Sequence, residues 1–168
     1  LLITIAVLLC SATASAYDFE VDGIYYKVLS FSDLTVEVTY GDNKYSGEVI
    51  IPSTVSYKSK ALTVTSIGIS AFYNSTGLTS VVIPNSVTNI GDGAFYGCTF
   101  LKDLRIEDGE TTLSLGYNWK EGLFDDCPLE SLYLGRNLDY NTSSNCGYSP
   151  FYNKKTLKSV TIGNSVTS

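Results

Sequence analysis

The sequence predicts a mostly-β solenoid, on three observations. First, an apolar anchor returns in phase: Leu78 is followed by Leu101 after 23 residues, then by Leu129 and Leu157 after 28 each. A fixed period of this size marks a chain built from stacked coils. Second, each anchor opens the same alternation. Leu78, Val81 and Ile83 correspond to Leu101, Leu104 and Ile106, to Leu129, Leu132 and Leu134, and to Leu157, Val160 and Ile162. Third, a Gly-rich turn with an aromatic plug follows in Gly91-Asp-Gly-Ala-Phe95, matched by Gly68 and Ala71-Phe72 one period earlier.

The chain begins with an apolar run, Leu1 to Cys10, followed by Ser11-Ala-Thr-Ala-Ser-Ala16. Ala14-Ser15-Ala16 fits the small-x-small cleavage rule, so residues 1–16 are expected to be an export signal lacking its Met and basic start, with Tyr17 as the new N-terminus. The run is shorter than the roughly 20 apolar residues a membrane span requires, and no membrane span is expected. A secreted or cell-surface location follows.

Residues 17–46 are expected to form an N-terminal β cap. Phe19 and Val21 alternate with charged neighbours, Asp22-Gly23 supplies a two-residue turn, and Ile24, Tyr26 and Val28 resume the alternation. Leu34, Val36, Val38 and Tyr40 alternate with Thr35, Glu37 and Thr39, which reads as a half-buried strand. Such an element shields the core and edge that a first coil would otherwise expose.

Repeat coils are expected over 47–168. Gly47-Glu-Val-Ile-Ile-Pro52 matches Ser80-Val-Val-Ile-Pro84, where Pro ends the strand because it cannot donate to the ladder. Val64-Thr-Ser-Ile-Gly68 matches Val87-Thr-Asn-Ile-Gly91. The extra length of the first coil is assigned to a loop at Ser53–Leu62, and later insertions to polar surface loops around Glu107–Gly122 and Arg136–Ser149. Leu123-Phe124 and Pro150-Phe151 take the place of Ala94-Phe95, and Cys127 that of Cys98. The closing Ile162-Gly-Asn-Ser-Val-Thr-Ser168 reads as a coil in progress, which suggests a fragment of a longer protein.

Composition narrows the function. The 168 residues carry a net charge of −6, and the 11 Lys and Arg are scattered, which speaks against nucleic acid as a partner. No His is present, which removes the usual general base, zinc ligand and Ser-His-Asp arrangement. Asp125-Asp126 and Glu107-Asp-Gly-Glu110 read as solvated turns, because a glycosidase pair faces across a cleft and calcium loops space their ligands differently. A non-enzymatic protein without cofactor or metal is expected. Cys98 and Cys127 sit three residues after the Phe of successive coils. Stacking would bring them within disulfide range, yet two small buried thiols fill the same slots equally well. Cys146 lies out of phase in a loop.

Residues between the inward anchors point outward and stack into a ribbon: Ser80 and Val82, Asp103 and Arg105, Ser131 and Tyr133, Ser159 and Thr161. Together with Trp119 in its loop they form the candidate ligand face, since Tyr, Trp and Arg dominate protein-interface hot spots. Tyr117, Tyr140 and Tyr148 are candidate additions, while Tyr25, Tyr26, Tyr73, Tyr96 and Tyr152 are expected half-buried on coil edges. Scattered surface aromatics are the ordinary alternative.

The motif at 78–98, Leu-Thr-Ser-Val-x-Ile-Pro-Asn-Ser-Val-Thr-x-Ile-Gly-x-Gly-Ala-Phe-Tyr-Gly-Cys, resembles the BspA-type leucine-rich repeat of exported bacterial surface proteins. The likeness extends over 47–168, and Asp18-Phe-Glu-Val-Asp-Gly-Ile-Tyr-Tyr26 is similar to the lead-in found there. It implies leucine-rich repeat coils with a stacked parallel sheet and short helical turns. It also implies adhesion to a host or bacterial surface or matrix protein. Polysaccharide binding and a spacer role are the alternatives.

Overall fold

The structure, a computed structural model, describes residues 15–116, 122–140 and 149–167. Most of the expected export signal, together with Tyr117, Trp119, Cys146 and Tyr148, lies outside the described residues. Among those described, there is no helix long and apolar enough to cross a membrane.

β1 (Phe19–Val21) and β2 (Ile24–Ser30) form the expected antiparallel hairpin with Val21 opposite Ile24. Asp22 and Gly23 both adopt positive φ, 51° and 78°, the conformation a two-residue turn needs to match the strand twist. β3 (Thr35–Thr39) lies antiparallel to β2 and sets Val36 and Val38 against Val28 and Tyr26. Tyr40 does not join that inward set: it is exposed, and Thr39 is buried instead. The Tyr45 hydroxyl donates to the Thr39 carbonyl at 2.6 Å, and Gly41 packs on the Tyr25 ring, so the chain leaves the sheet before Tyr40. Tyr25 and Tyr26, expected half-buried, are wholly inside. Tyr26 lies on the core face of β2, while Tyr25 is enclosed by the Tyr17 and Tyr45 rings.

The chain then shuttles between two sheets. β4 (Ser46–Ile50) starts the first sheet, while β5 (Thr54–Tyr57) and β6 (Lys60–Ile67) belong to the second. Next come β7 (Gly77–Ile83), β8 (Asn89–Ile90), β9 (Asp103–Ile106), β10 (Leu113–Leu115), β11 (Ser131–Arg136), β12 (Leu138–Asp139) and β13 (Ser159–Ser165). The first sheet is β13-β11-β9-β7-β4, all parallel; β6, β8, β10 and β12 stack in parallel in the second and continue it from β3.

Each of three expected loops contains strand among its described residues. Ser53–Leu62 holds a hairpin, with Tyr57 opposite Lys60 and positive φ at Lys58 and Ser59. The stretches 107–122 and 136–149 contain β10 and β12, return legs too short to show an alternation but needed to continue the second sheet's ladder. Arg136 opens no surface loop: it ends β11 fully buried, donating from Nη1 to the Asn85 carbonyl and from Nη2 to that of Pro84, each at 2.9 Å. Its aliphatic stem runs against Gly109 of the intervening coil, and burial lowers the guanidinium pKa. The expected short helical turns are single hydrogen-bonded turns, such as Ala71 N to Gly68 O and Tyr73 N to Ser70 O. Asn74, Gly97, Asp126 and Asn153, each two residues past a core Phe, take positive φ and reverse the chain before a helix can continue.

The core is organised in columns. One ring per coil packs on the next: Tyr45 meets Phe72 at a tilt (4.4 Å between centroids), and Phe72 stacks on Phe95 (4.8 Å), Phe95 on Phe124 (5.3 Å) and Phe124 on Phe151 (5.4 Å). Leu78, Leu101 and Leu129 form a parallel column with no exposure. Val160 and Ile162, expected in the inward set, are exposed because no described strand lies beyond β13. Cys98 and Cys127 are free buried thiols, donating to the carbonyls of Phe72 and Phe95, each at 3.1 Å. Each thiol thus ties its coil to the one before. The neighbouring Cys98 thiol, and then burial, raise the pKa of Cys127.

Two outcomes follow. Phe95→Ala leaves a void between two stacked rings and should cost about 3–5 kcal/mol in urea unfolding. A loss below about 1 kcal/mol would show that the ring column is not what aligns the coils. In peptide-mapped alkylation, Cys98 and Cys127 should resist iodoacetamide when the chain is folded and react fully once it is unfolded without reductant. Persistent resistance after unfolding would reveal a disulfide.

Candidate binding face

The outer face of the first sheet carries the ribbon. Its ladders place Ser80, Asp103, Ser131 and Ser159 in one column, and Val82, Arg105, Tyr133 and Thr161 in the next. All eight therefore share a face, because each is flanked by inward neighbours such as Val81, Leu104 and Leu132. A further rung belongs to it: Glu48 pairs with Ser80 and Ile50 with Val82, and Ile50 is 60% exposed. Aligning Pro52 with Pro84 in the sequence was enough to reveal this rung.

Arg105 and Tyr133 are brought together closely. The guanidinium sits 3.9 Å from the Tyr133 ring centroid, a cation–π contact. The Tyr133 hydroxyl donates to Asp108 Oδ2 at 2.5 Å, and that bond raises the pKa of the phenol. Gly163 makes the arrangement possible: a Cβ there would lie 2.2 Å from Asp108 Oδ1 and 3.0 Å from the Tyr133 hydroxyl. The stack Arg105–Tyr133–Asp108 is thus held from above and from the side. Less conformational freedom remains to be lost on binding than for free side chains.

A third column escaped the sequence reading. Lys102 and Lys158 both pair with Glu130, the first at 3.0 Å, one residue ahead of the ribbon in successive strands. Lys158 and then Lys102 hold the Glu130 carboxyl below the usual range. Exposed pairs of this kind contribute little stability and instead pattern the rim with charge. The i and i+28 spacing of Lys102, Glu130 and Lys158 was the available signal.

The acidic stretches have structural partners. Asp125 Oδ2 accepts the Gly122 amide at 2.6 Å and so closes its own turn, and Asp108 is occupied by Tyr133. Among the described residues no group of three His, Cys, Asp or Glu side chains is placed to hold a metal ion.

Comparison with known proteins agrees with this architecture. No curated protein matches the chain in sequence. A leucine-rich repeat protein from Bacteroides capillosus aligns with a TM-score of 0.62 and 23% identity over 87% of this chain and 98% of that one. The pneumococcal vaccine antigen PcpA aligns with a TM-score of 0.62 and 23% identity over 92% of this chain and 40% of that one. A leucine-rich cell surface protein from Faecalibacterium prausnitzii gives 0.54 and 22% over 89% and 43%. At these identities the likeness shows the fold, and the chain spans less than half the length of the latter two. The repeat profile described as the BspA type leucine-rich repeat region matches residues 65–168 in six copies. With that profile covering more than half of its residues, the chain belongs to the BspA-type leucine-rich repeat family.

Proposed function

We propose that this chain is an exported, non-enzymatic adhesion module that binds a host or bacterial surface or matrix protein through the ribbon of its first sheet. The observation that carries the reading is the column Ile50, Val82, Arg105, Tyr133 and Thr161, apolar at one end and centred on a cation–π pair. Exposed aromatic and Arg side chains on a stiff backbone are what protein-interface hot spots are made of. Export rests on the apolar run and Ala14-Ser15-Ala16 ahead of the cap. The cell-surface description of the Faecalibacterium neighbour points the same way. Residues 1–16 are then the signal, 17–46 the cap and 47–168 the repeat domain.

A second reading, binding of extracellular polysaccharide, is favoured by one feature. A cleft of about 540 Å³ brings Tyr96 and Tyr152 together with Asp125, Asp126 and Asn153, the ring, carboxylate and amide chemistry that sugars use.

The test is a screen of the chain against paired arrays of matrix proteins and polysaccharides, repeated with Arg105→Ala/Tyr133→Ala. Saturable binding to a protein, weakened at least about 30-fold in the double variant, is expected, since hot-spot truncations cost about 2 kcal/mol or more. Unchanged affinity in a folded double variant removes the ribbon as the site. Binding confined to glycans selects the cleft, and silence on both arrays selects the spacer role.

A further inference from the structure

The two sheets do not end together at the N-terminal side. The second runs on through β3, β2 and β1, whereas the first stops at β4. This overhang is three strands wide, about 14 Å at the usual strand spacing. Beside β4 it leaves a slot of about 440 Å³ between the strand and the β1–β2 turn.

One edge of β4 pairs with β7; no described strand pairs with the other. The Ile51 amide donates to the Val82 carbonyl at 3.1 Å, so the alternation of a strand turns the amides and carbonyls of Glu48 and Ile50 toward the slot. The floor is fixed: Tyr25 and Tyr45 are buried, the Tyr25 amide donates to the Tyr45 hydroxyl at 3.1 Å, and that hydroxyl donates to the Thr39 carbonyl. The rim carries the exposed carboxylates of Glu20, Asp22 and Glu48. Lys44, the one basic residue lining the slot among those described, spends its ammonium on the Tyr73 carbonyl at 2.6 Å.

We propose that this slot takes an extended basic peptide segment of a partner protein, added as a strand to the free edge of β4. Main-chain groups of the incoming strand pair with those of Glu48 and Ile50, and its Lys or Arg side chains meet Glu48, Glu20 and Asp22. A second copy of this chain fits poorly, because edge-to-edge pairing through β4 brings two acidic rims of Glu20, Asp22 and Glu48 together. The site adjoins the ribbon and shares Glu48 and Ile50 with its last rung. It uses the main-chain edge of β4, whereas the ribbon uses the outer face of the sheet and recognises by side chains.

The test is fluorescence anisotropy of the chain with a labelled eight-residue peptide of alternating Lys and Val. Its controls are a Glu-for-Lys version and a version N-methylated at alternate amides. Saturable binding of the Lys peptide is expected, at least tenfold weaker for both controls. Glu48→Lys, exposed and not needed for the fold, should lose the Lys peptide and gain the Glu peptide. Ile50→Pro removes an edge amide that β7 does not use and should abolish binding without lowering Tm. Equal binding of the N-methylated peptide would overturn strand addition, leaving only charge attraction. No binding at millimolar peptide to a chain with native circular dichroism would overturn the site. Dimerisation through β4, abolished by Ile50→Pro in sedimentation, would assign the edge to a second copy and overturn the proposal as well.

Discussion

A ring from every coil lands on the ring of the coil before it, and the spacing of that column is the spacing of neighbouring strands. From Tyr45 to Phe151 the centroid steps run from 4.4 to 5.4 Å, close to the roughly 4.8 Å between hydrogen-bonded strands. The three Phe-to-Phe steps are also nearly parallel, at 7°, 18° and 16°. Because stacking and strand pairing demand nearly the same rise, both ladders continue across coils of unequal length, with register shifts only at points such as Gly47/Glu48, Leu134/Arg136 and Val36/Glu37. The 23- and 28-residue periods differ only in what lies between anchors. Extra residues are absorbed at the corners, and Phe124 still falls on Phe95.

That column also explains what was legible beforehand. A repeat is readable where one residue per period has an obligatory neighbour in the next, as Leu78, Phe95 and Val81 do. The ribbon followed from the same phase: alternation alone aligns its eight members in the two neighbouring columns that the strand pairing gives them. Features without such a partner stayed hidden. Leu113–Leu115 and Leu138–Asp139 are strands of three and two residues, whose sheet identity comes from pairing with β8 and β10 in turn and not from local pattern. The Ser53–Leu62 hairpin turns through Lys58-Ser59, a pair with no Gly or Asn to mark the positive φ. Arg136 sits among polar residues and looks exposed. Only its two carbonyl partners, 51 and 52 residues upstream, reveal it as an interior clasp.

Stiffness is what the ribbon gains from this construction. On β7, β9 and β11 each outer side chain stands on a strand hydrogen-bonded on both sides, above buried inward residues such as Val81, Leu104 and Leu132. Tyr133 is further restrained by Arg105 above its ring and Asp108 at its hydroxyl. A surface pre-arranged in this way concentrates binding free energy in few residues. The Lys102–Glu130–Lys158 strip alongside is exposed and screened, so its part is orientation and partner discrimination.

The same column leaves the two sheets with different ends, and their edges are handled differently. In the second sheet, β3, β2 and β1 carry the ladder on from β6, and the hairpin turn brings that sheet to an antiparallel edge at β1. In the first sheet, the chain enters β4 directly from the Tyr45 corner, and the ring of Tyr45 starts the stack where a coil would otherwise precede it. Tyr45 therefore caps the core without capping the sheet. The polar edge of β4 is left beside carboxylates, and a like-charged edge resists its own copy while remaining open to a strand of opposite charge. Core closure and edge closure are separate problems in a solenoid, and at this end the sequence solves the first with an aromatic ring and answers the second only with charge.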